Sequence, residues 1–351
     1  MARVVFYMRS ILLLTALGAS LVFTNTQANA IENNFSLQVS PSPLVATATP
    51  GQTKTLELKI RNASTADEQL KIEARSFSFD NKKGTVSLDD TLAPALSGWL
   101  TLPQPGFTVK SGQWQTQRIT ISVPKEAGFS YSFALIISRN NEQAIVNNGR
   151  LLKGSVAVFT LINIDKPGAT RTLELDSLQT DQSVYEFLPA TISMKLKNSG
   201  NSIVQPYGNI FIQRPGNSDK PLATLPVNES QAYILPGTER TLSATWSQGF
   251  PLYQQSTDTS GTSKTTLDWN IEQIRHFRFG QYSAQVVAVY NDGTRDVPIV
   301  GEVTFWVIPW KTMLISLAAI IGVVLLFRAY IKKRTEKAVQ KALQKQKEQA
   351  E

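Results

Sequence analysis

The feature that most constrains this chain is a run of twenty residues near its C-terminus, Ile308–Phe327, whose only charge is Lys311 at the leading edge. At 1.5 Å rise per residue such a run spans about 30 Å as a helix, the hydrocarbon thickness of a bilayer. Trp306 and Trp310 stand at one border, where indole rings favour the headgroup region. Arg328, Lys332, Lys333 and Arg334 crowd the other. By the positive-inside tendency the basic side is cytoplasmic, so the segment reads as a transmembrane helix with a basic cytoplasmic tail at 328–351. A core helix would leave both flanks without a reason.

The other end carries the three parts of a secretory signal. Arg3 and Arg9 precede an apolar run Ile11–Phe23, and Ala28-Asn29-Ala30 forms a small-residue cleavage site. Residues 1–30 are therefore expected to be removed, with Ala28 and Ala30 marking the cut. The topology is single-pass in the cell membrane, N-terminus extracellular and C-terminus cytoplasmic. The wall-sorting pentapeptide Leu-Pro-x-Thr-Gly is absent before the membrane run.

Between the ends, residues 31–310 hold 24 basic and 24 acidic residues, although the whole chain is at +8. A neutral body between basic ends lacks the basic face that neutralises phosphates, so no nucleic-acid partner is expected. The chain has no cysteine and a single histidine. That excludes thiolate catalysis, disulfides, cysteine-ligated metals and histidine-pair zinc sites within one chain.

The body alternates apolar and polar residues with period two, bounded by Gly, Pro, Asn and Ser. Leu56, Leu58 and Ile60 share one face of Thr55–Arg61; Ile119, Ile121 and Val123 share one face of Arg118–Val123; Ile192, Met194 and Leu196 do so in Thr191–Lys197. One buried and one wet face per strand is the pattern of antiparallel sheets packed as a sandwich.

Four matches in the same order then mark an internal repeat. Leu58–Ser64 (LKIRNAS) matches Met194–Gly200 (MKLKNSG). Ser111-Gly112 followed by Gln117–Ile121 matches Pro236-Gly237 followed by Glu239–Ser243. Tyr131-Ser132, leading to Asn140, matches Tyr282-Ser283, leading to Asn291. Gly154–Phe159 matches Gly301–Trp306. Tyr131 and Tyr282 are either corner tyrosines or fillers of the core edge. The spacing between copies grows after the second match, so copy two carries an insertion. Residues 247–266, rich in Ser, Thr, Gln and Gly, are expected to be that insertion as a mobile loop. The fold class is all-β: two tandem immunoglobulin-like β-sandwiches at 31–165 and 170–307, a linker at 166–169, and one C-terminal transmembrane α-helix at 308–327.

The opening Phe35–Pro43 (FSLQVSPSP), then Pro50-Gly51 before the strand closing on Asn62-Ala63-Ser64, resembles the N-terminal module of Gram-positive surface proteins that interact with WxL-domain proteins and peptidoglycan. Asn198–Asn201 and Pro206–Ile212 (PYGNIFI) resemble their second module. The resemblance implies a membrane-anchored protein that binds an envelope or cell-surface protein, with peptidoglycan as a further candidate. A looser similarity links the first module to periplasmic pilus chaperones, which are soluble.

Catalytic motifs are poor. Ser122-Val123-Pro124-Lys125 has the Ser-x-x-Lys spacing that needs a helical turn, but alternation and Pro124 put it at a strand end. His276 lies among Arg275 and Arg278 with no adjacent carboxylate to orient it. Asp89-Asp90 is an isolated acidic pair, and the sequons at Asn34, Asn62 and Asn228 carry no weight in a chain rich in Asn and Ser. No cofactor or metal site and no enzyme is expected. Aromatics near loops supply the candidate partner-binding residues: Trp99, Phe107 and Trp114 around the Pro/Gly-rich stretch 102–112, and Phe250 and Tyr253 in the insertion. Two functions follow from different classes. One is a non-enzymatic surface protein whose modules bind another envelope protein or cell-wall glycan. The other is a rigid stalk or accessory subunit of a membrane complex assembled through the helix and tail.

Overall fold

The computed structural model describes residues 35–348 apart from 81–84, 104–105, 141–145, 148–149, 152–153, 217–219 and 258–262. The expected signal segment with Ala28 and Ala30 lies outside the described residues.

The strands form sheets in two successive groups. In the first, the order Leu37–Ser40, Thr53–Asn62, Trp114–Ser122, Leu100–Thr101 makes one sheet. Leu44–Ala48, Ser155–Ile164, Ser130–Arg139, Glu68–Arg75 and Phe107–Val109 make the facing sheet. The second group repeats the plan. Leu173–Thr180, Ala190–Asn198 and Glu239–Trp246 face Val184–Tyr185, Asp296–Val307, Gly280–Asn291, Tyr207–Gln213 and Ala223–Pro226. The protein is thus all-β, built of immunoglobulin-like sandwiches followed by one long apolar helix.

Alternation drives this arrangement. Leu58, Ile60, Ile119, Ile121, Ile192, Met194 and Leu196 are all buried, while the residues between them face outward or the sheet edge. Strand Ser130–Arg139 departs from the rule: Phe133 through Ile137 are buried without a break. Its outer face, Ala134 and Ile136, is covered by the hairpin Phe77–Asp80/Thr85–Leu88 through Phe77 and Leu88, so both faces are dry.

In both sandwiches the entering chain changes sheets. Leu37–Ser40 runs antiparallel to Thr53–Asn62, then Leu44–Ala48 runs parallel to Ser155–Ile164 in the opposite sheet. Pro41 and Pro43 lie at the break and lack the N–H that would continue a ladder. Likewise Leu173–Thr180 pairs with Ala190–Asn198, and Val184–Tyr185 pairs parallel with Asp296–Val307.

The four sequence matches fall on equivalent strands and turns. Asn62 and Asn198 are fully buried, and Gly112 and Gly237 occupy left-handed turns at φ +74° and +68°. The backbone N–H of each glycine donates to the carbonyl of the matching asparagine, at 2.8 and 2.9 Å. Tyr131 and Tyr282 serve as corners as well as core filling. Their hydroxyls accept from the backbone N–H of Gly128 at 2.6 Å and of Phe279 at 3.1 Å. The Asn62 sequon is thereby sealed inside the protein.

The insertion is not an irregular loop. Leu252–Thr257 and Ser263–Asp268 pair antiparallel, and Leu252 packs against the second core. The apolar residues concentrated at its base, Phe250, Leu252 and Tyr253, anchor a hairpin whose outer part is polar and exposed on both faces.

The helix runs Trp310–Glu348. It begins two residues later than expected, because Ile308 still donates its N–H to Tyr185 on the sheet and Pro309 opens the first turn. It continues unbroken into the basic tail, and its Trp310–Val339 portion is long and apolar enough to cross a bilayer. Lys333 and Lys337 are exposed four residues apart, on one face of the helix.

Candidate functional site

Two regions combine concavity, exposed apolar surface and charge. The first lies between the sandwiches. Residues 166–169 are gripped on both sides: the Lys166 ammonium hydrogen-bonds the carbonyl of Ala127 and sits 4.5 Å above the Phe129 ring. Asn163 uses both ends of its carboxamide on Ile203, donating to its carbonyl at 3.1 Å and accepting from its N–H at 2.9 Å. Ser130 donates to the carbonyl of Asn201 at 3.0 Å. These bonds hold the sandwiches together beside a cleft of about 280 Å³.

One wall of the cleft is Phe77 and Phe79 of the covering hairpin with Phe159 of strand Ser155–Ile164. The other is Tyr233, Leu235 and Arg240. Tyr233 and Leu235 are presented by a turn that Asn228 ties down. Its Nδ2 donates to Pro206 and Ala232 carbonyls at 2.8 and 2.9 Å, and its Oδ1 accepts from Ala232 N–H at 2.8 Å. That carboxamide, a sequon in the sequence, is committed to the turn.

Arg240, on strand Glu239–Trp246, is half-buried. It donates to the carbonyl of Tyr233 at 3.2 Å, and among the described residues no carboxylate pairs with it. Burial alone pulls its pKa below the ordinary guanidinium range. A guanidinium held among apolar side chains, with no carboxylate paired to it among the described residues, has the chemistry to accept an anionic group.

The second region is the base of the second sandwich, where it meets the helix. Phe250 and Trp269 meet edge-on at 6.0 Å, and Phe187 lies 6.4 Å from Trp269 and 6.0 Å from Tyr253. The Tyr253 hydroxyl donates to Glu186 Oε2 at 2.7 Å, and Lys311 in the first helical turn pairs with the same oxygen at 2.9 Å. Burial first, and the Glu186 carboxylate second, raise the Tyr253 pKa above the ordinary phenol value. Phe187, Phe250, Pro251, Trp269 and Phe277 form one wall of a groove of about 840 Å³; helix residues from Trp310 to Ile320 form the other.

The candidate partner-binding residues separate on this structure. Trp99 is only 9% exposed and packs edge-on against Tyr131 at 4.3 Å, because the short helix Pro94–Ser97 folds it into the first core. Phe107 lies on a strand against the same core. Trp114 is 51% exposed at the start of its strand. Phe250 lines the groove of the second region together with Trp310, and Tyr253 sits beside it on Phe187 and Glu186, while Trp306 is exposed on the last strand, its backbone N–H donating to Ser183. Sequence reasoning missed the cleft residues Phe77, Phe79, Tyr233 and Arg240, which come from three separate segments. It also missed Ile271, Ile274 and Phe279. Their signal was available: four large apolar residues, counting Phe277, within nine positions that show no strand alternation.

No family model matches the chain, and no curated protein matches it. Among solved structures, the class 5 fimbriae chaperone CfaA is 11% identical with a TM-score of 0.33, covering 76% of this chain and 98% of its own. The SafB chaperone with SafA pilin of Salmonella enterica is also 11% identical, with a TM-score of 0.32 and coverage of 77% and 97%. The CsuC–CsuE chaperone–tip adhesion subunit complex from Acinetobacter baumannii is 13% identical, with a TM-score of 0.33 and coverage of 67% and 98%.

Proposed function

We propose that this chain is a non-enzymatic, membrane-anchored surface protein whose sandwiches bind a segment of another envelope protein, received in the cleft between them. The observation that carries this reading is Arg240, a half-buried cation without an acidic partner among the described residues, set among Phe77, Phe79, Phe159 and Tyr233. Such a cleft suits an extended peptide that brings a carboxylate to the guanidinium and apolar side chains to the rings. The resemblance to WxL-associated surface proteins names the kind of partner this reading favours; cell-wall glycan is the other ligand class it offers. The anchor is the helix Trp310–Glu348, with the sandwiches outside and the basic tail in the cytoplasm.

The test uses the full chain in intact cells, with a photo-crosslinking residue in place of Phe79. A single envelope protein should be captured, Arg240→Lys should retain capture, and Arg240→Met, which keeps the packing, should reduce it tenfold or more. Capture that ignores Arg240, or that occurs only from helix positions, would overturn the cleft reading.

A stalk reading has its own support. Asn163 with Ile203 joins the sandwiches, and Glu186 with Lys311 joins the second sandwich to the helix, so each junction is bonded. Capture confined to helix and tail positions is the outcome it expects.

A further inference from the structure

The base of the second sandwich presents apolar surface that a soluble domain would bury. Asn270 caps the 3-10 turn Ile271–His276, its Oδ1 accepting from Glu272 N–H at 3.1 Å. The turn holds Ile271 at 73% and Ile274 at 59% exposure. Trp269, Phe277 and Phe279 flank them, each about half exposed. Apolar residues scattered singly on a surface need no explanation, but five gathered on one short segment do.

Their place in the fold supplies one. Phe250 donates its N–H to the carbonyl of His276 at 3.1 Å and Phe277 bridges back to Phe250, so the segment is fastened to the base of the sandwich. Trp269 and Phe277 then face the helix across the groove, opposite Met313, Leu314, Leu317 and Ile320. From Met313 to Ile320 the helix descends about 10 Å. Trp306 and Trp310, both exposed, mark the headgroup level at its outer border. A groove wall that runs below that level stands at hydrocarbon depth, and the sandwich residues opposite share it.

The charges agree. Arg275 is exposed on the turn, and Arg278 follows with its Nε donating to the carbonyl of Gln248 at 2.9 Å and its guanidinium 5.4 Å from the Trp246 ring. Glu272 is the single acid in the segment 269–279. Cations beside an apolar tip match phosphate headgroups above acyl chains.

We propose that residues 269–279 form a lipid-binding collar, with Ile271, Ile274 and Phe279 inserted into the outer leaflet and phospholipid acyl chains filling the groove between Trp269, Phe277 and the helix. The collar rests on the anchored reading above, and the test separates the two. Because the chain lacks cysteine, one introduced cysteine is a unique labelling site. The full chain is reconstituted in vesicles of phosphatidylglycerol and phosphatidylethanolamine, carrying an environment-sensitive fluorophore at Ile274→Cys, Phe279→Cys, Leu317→Cys or Trp114→Cys. All four positions are exposed, so labelling disturbs no core.

Lipids brominated on their acyl chains should quench the labels at 274 and 279 by at least half as much as the label at 317, and leave the label at 114 untouched. Quenching at 317 alone would overturn the collar and keep the anchor; quenching at none would overturn both. Protection of 274 and 279 without quenching, together with disulfide formation between copies, would assign the surface to a second copy and overturn the lipid proposal.

Discussion

The carboxamides of Asn62 and Asn198 close equivalent loops in the two sandwiches. Asn62 Nδ2 donates to the carbonyls of Ala66 and Val109 at 2.7 and 2.9 Å, while Asn198 Nδ2 donates to those of Ser202 and Ile234 at 2.8 and 2.9 Å. Each Oδ1 accepts a backbone N–H two residues on, from Ser64 at 2.9 Å and Gly200 at 3.0 Å. Both side chains are wholly buried, so each supplies hydrogen bonds that water cannot replace.

Asn62→Ala and Asn198→Ala should therefore each destabilise by about 2–4 kcal/mol, since carbonyls and an N–H are left without partners in the interior. Asp at either site should fare no better. Its carboxylate keeps the acceptor but offers no donor to two carbonyls, and burying the charge adds a cost. Thermal unfolding of the full chain, with hydrogen exchange to locate the weakened sandwich, checks this. A change below about 0.5 kcal/mol at both sites would mean the loops are closed by other contacts.

Asp292 turns the chain between strands Gly280–Asn291 and Asp296–Val307. Its Oδ1 accepts from the N–H of Thr294 at 2.8 Å, the hydroxyl of Thr294 at 2.7 Å and the N–H of Arg295 at 2.9 Å. Those bonds, the backbone N–H of Arg295 foremost, hold its pKa down at about 2. A depressed carboxyl contributes stability that is complete above the unfolded pKa of about 4 and is lost as pH falls through the folded value. Carbon-detected NMR titration should place its midpoint near 2, with turn amides protected at pH 4 and loosened near pH 2. Asp292→Asn should remove that pH dependence. A midpoint near 4 would show that the turn does not engage the carboxylate.

What could be read in the sequence was what repeats or alternates. Leu58 and Ile60 announce their strand by period two, and the matched Asn62 and Asn198 announce that two copies share one plan, because a buried loop closure admits few residue types. The apolar run announced its helix, although Ile308 stays on the sheet through a backbone bond that no side-chain pattern encodes. Pairing and convergence were hidden. Trp99 looked like a loop aromatic because the contact that buries it, Tyr131, is distant in sequence. The cleft was invisible for the same reason: Phe79, Phe159, Tyr233 and Arg240 are ordinary residues on separate elements until two sandwiches bring them together. Residues 252–268 hid a hairpin, since a strand pair with both faces wet has no hydrophobic alternation to display.

That hairpin can be shortened at two depths, with different outcomes expected. Its outer part is solvent-facing: Gln254–Ser256 and Ser263–Thr266 are exposed and contribute to no core cluster. Its base is structural. Leu252 packs on the second core, Tyr253 bonds Glu186, Pro251 is buried, and Phe250 meets Trp269. Replacing residues 255–265 by Asn-Gly keeps the Gln254–Thr266 pair and closes it with a two-residue turn of the favoured hand. Loop-closure entropy changes slowly with length, so the melting temperature should move by less than about 2 °C. Cutting deeper, with residues 251–268 replaced by a glycine-serine bridge, strips Leu252 and Tyr253 from the core edge. That should lower stability by about 2–4 kcal/mol, the cost of losing one large apolar side chain and a hydrogen bond to a partly buried carboxylate. Melting of the full chain in detergent, followed by tryptophan fluorescence, distinguishes the two. A large loss from the outer trim alone would mean that the tip of the hairpin packs against the sandwich, and equal behaviour of the two variants would mean that its base does not.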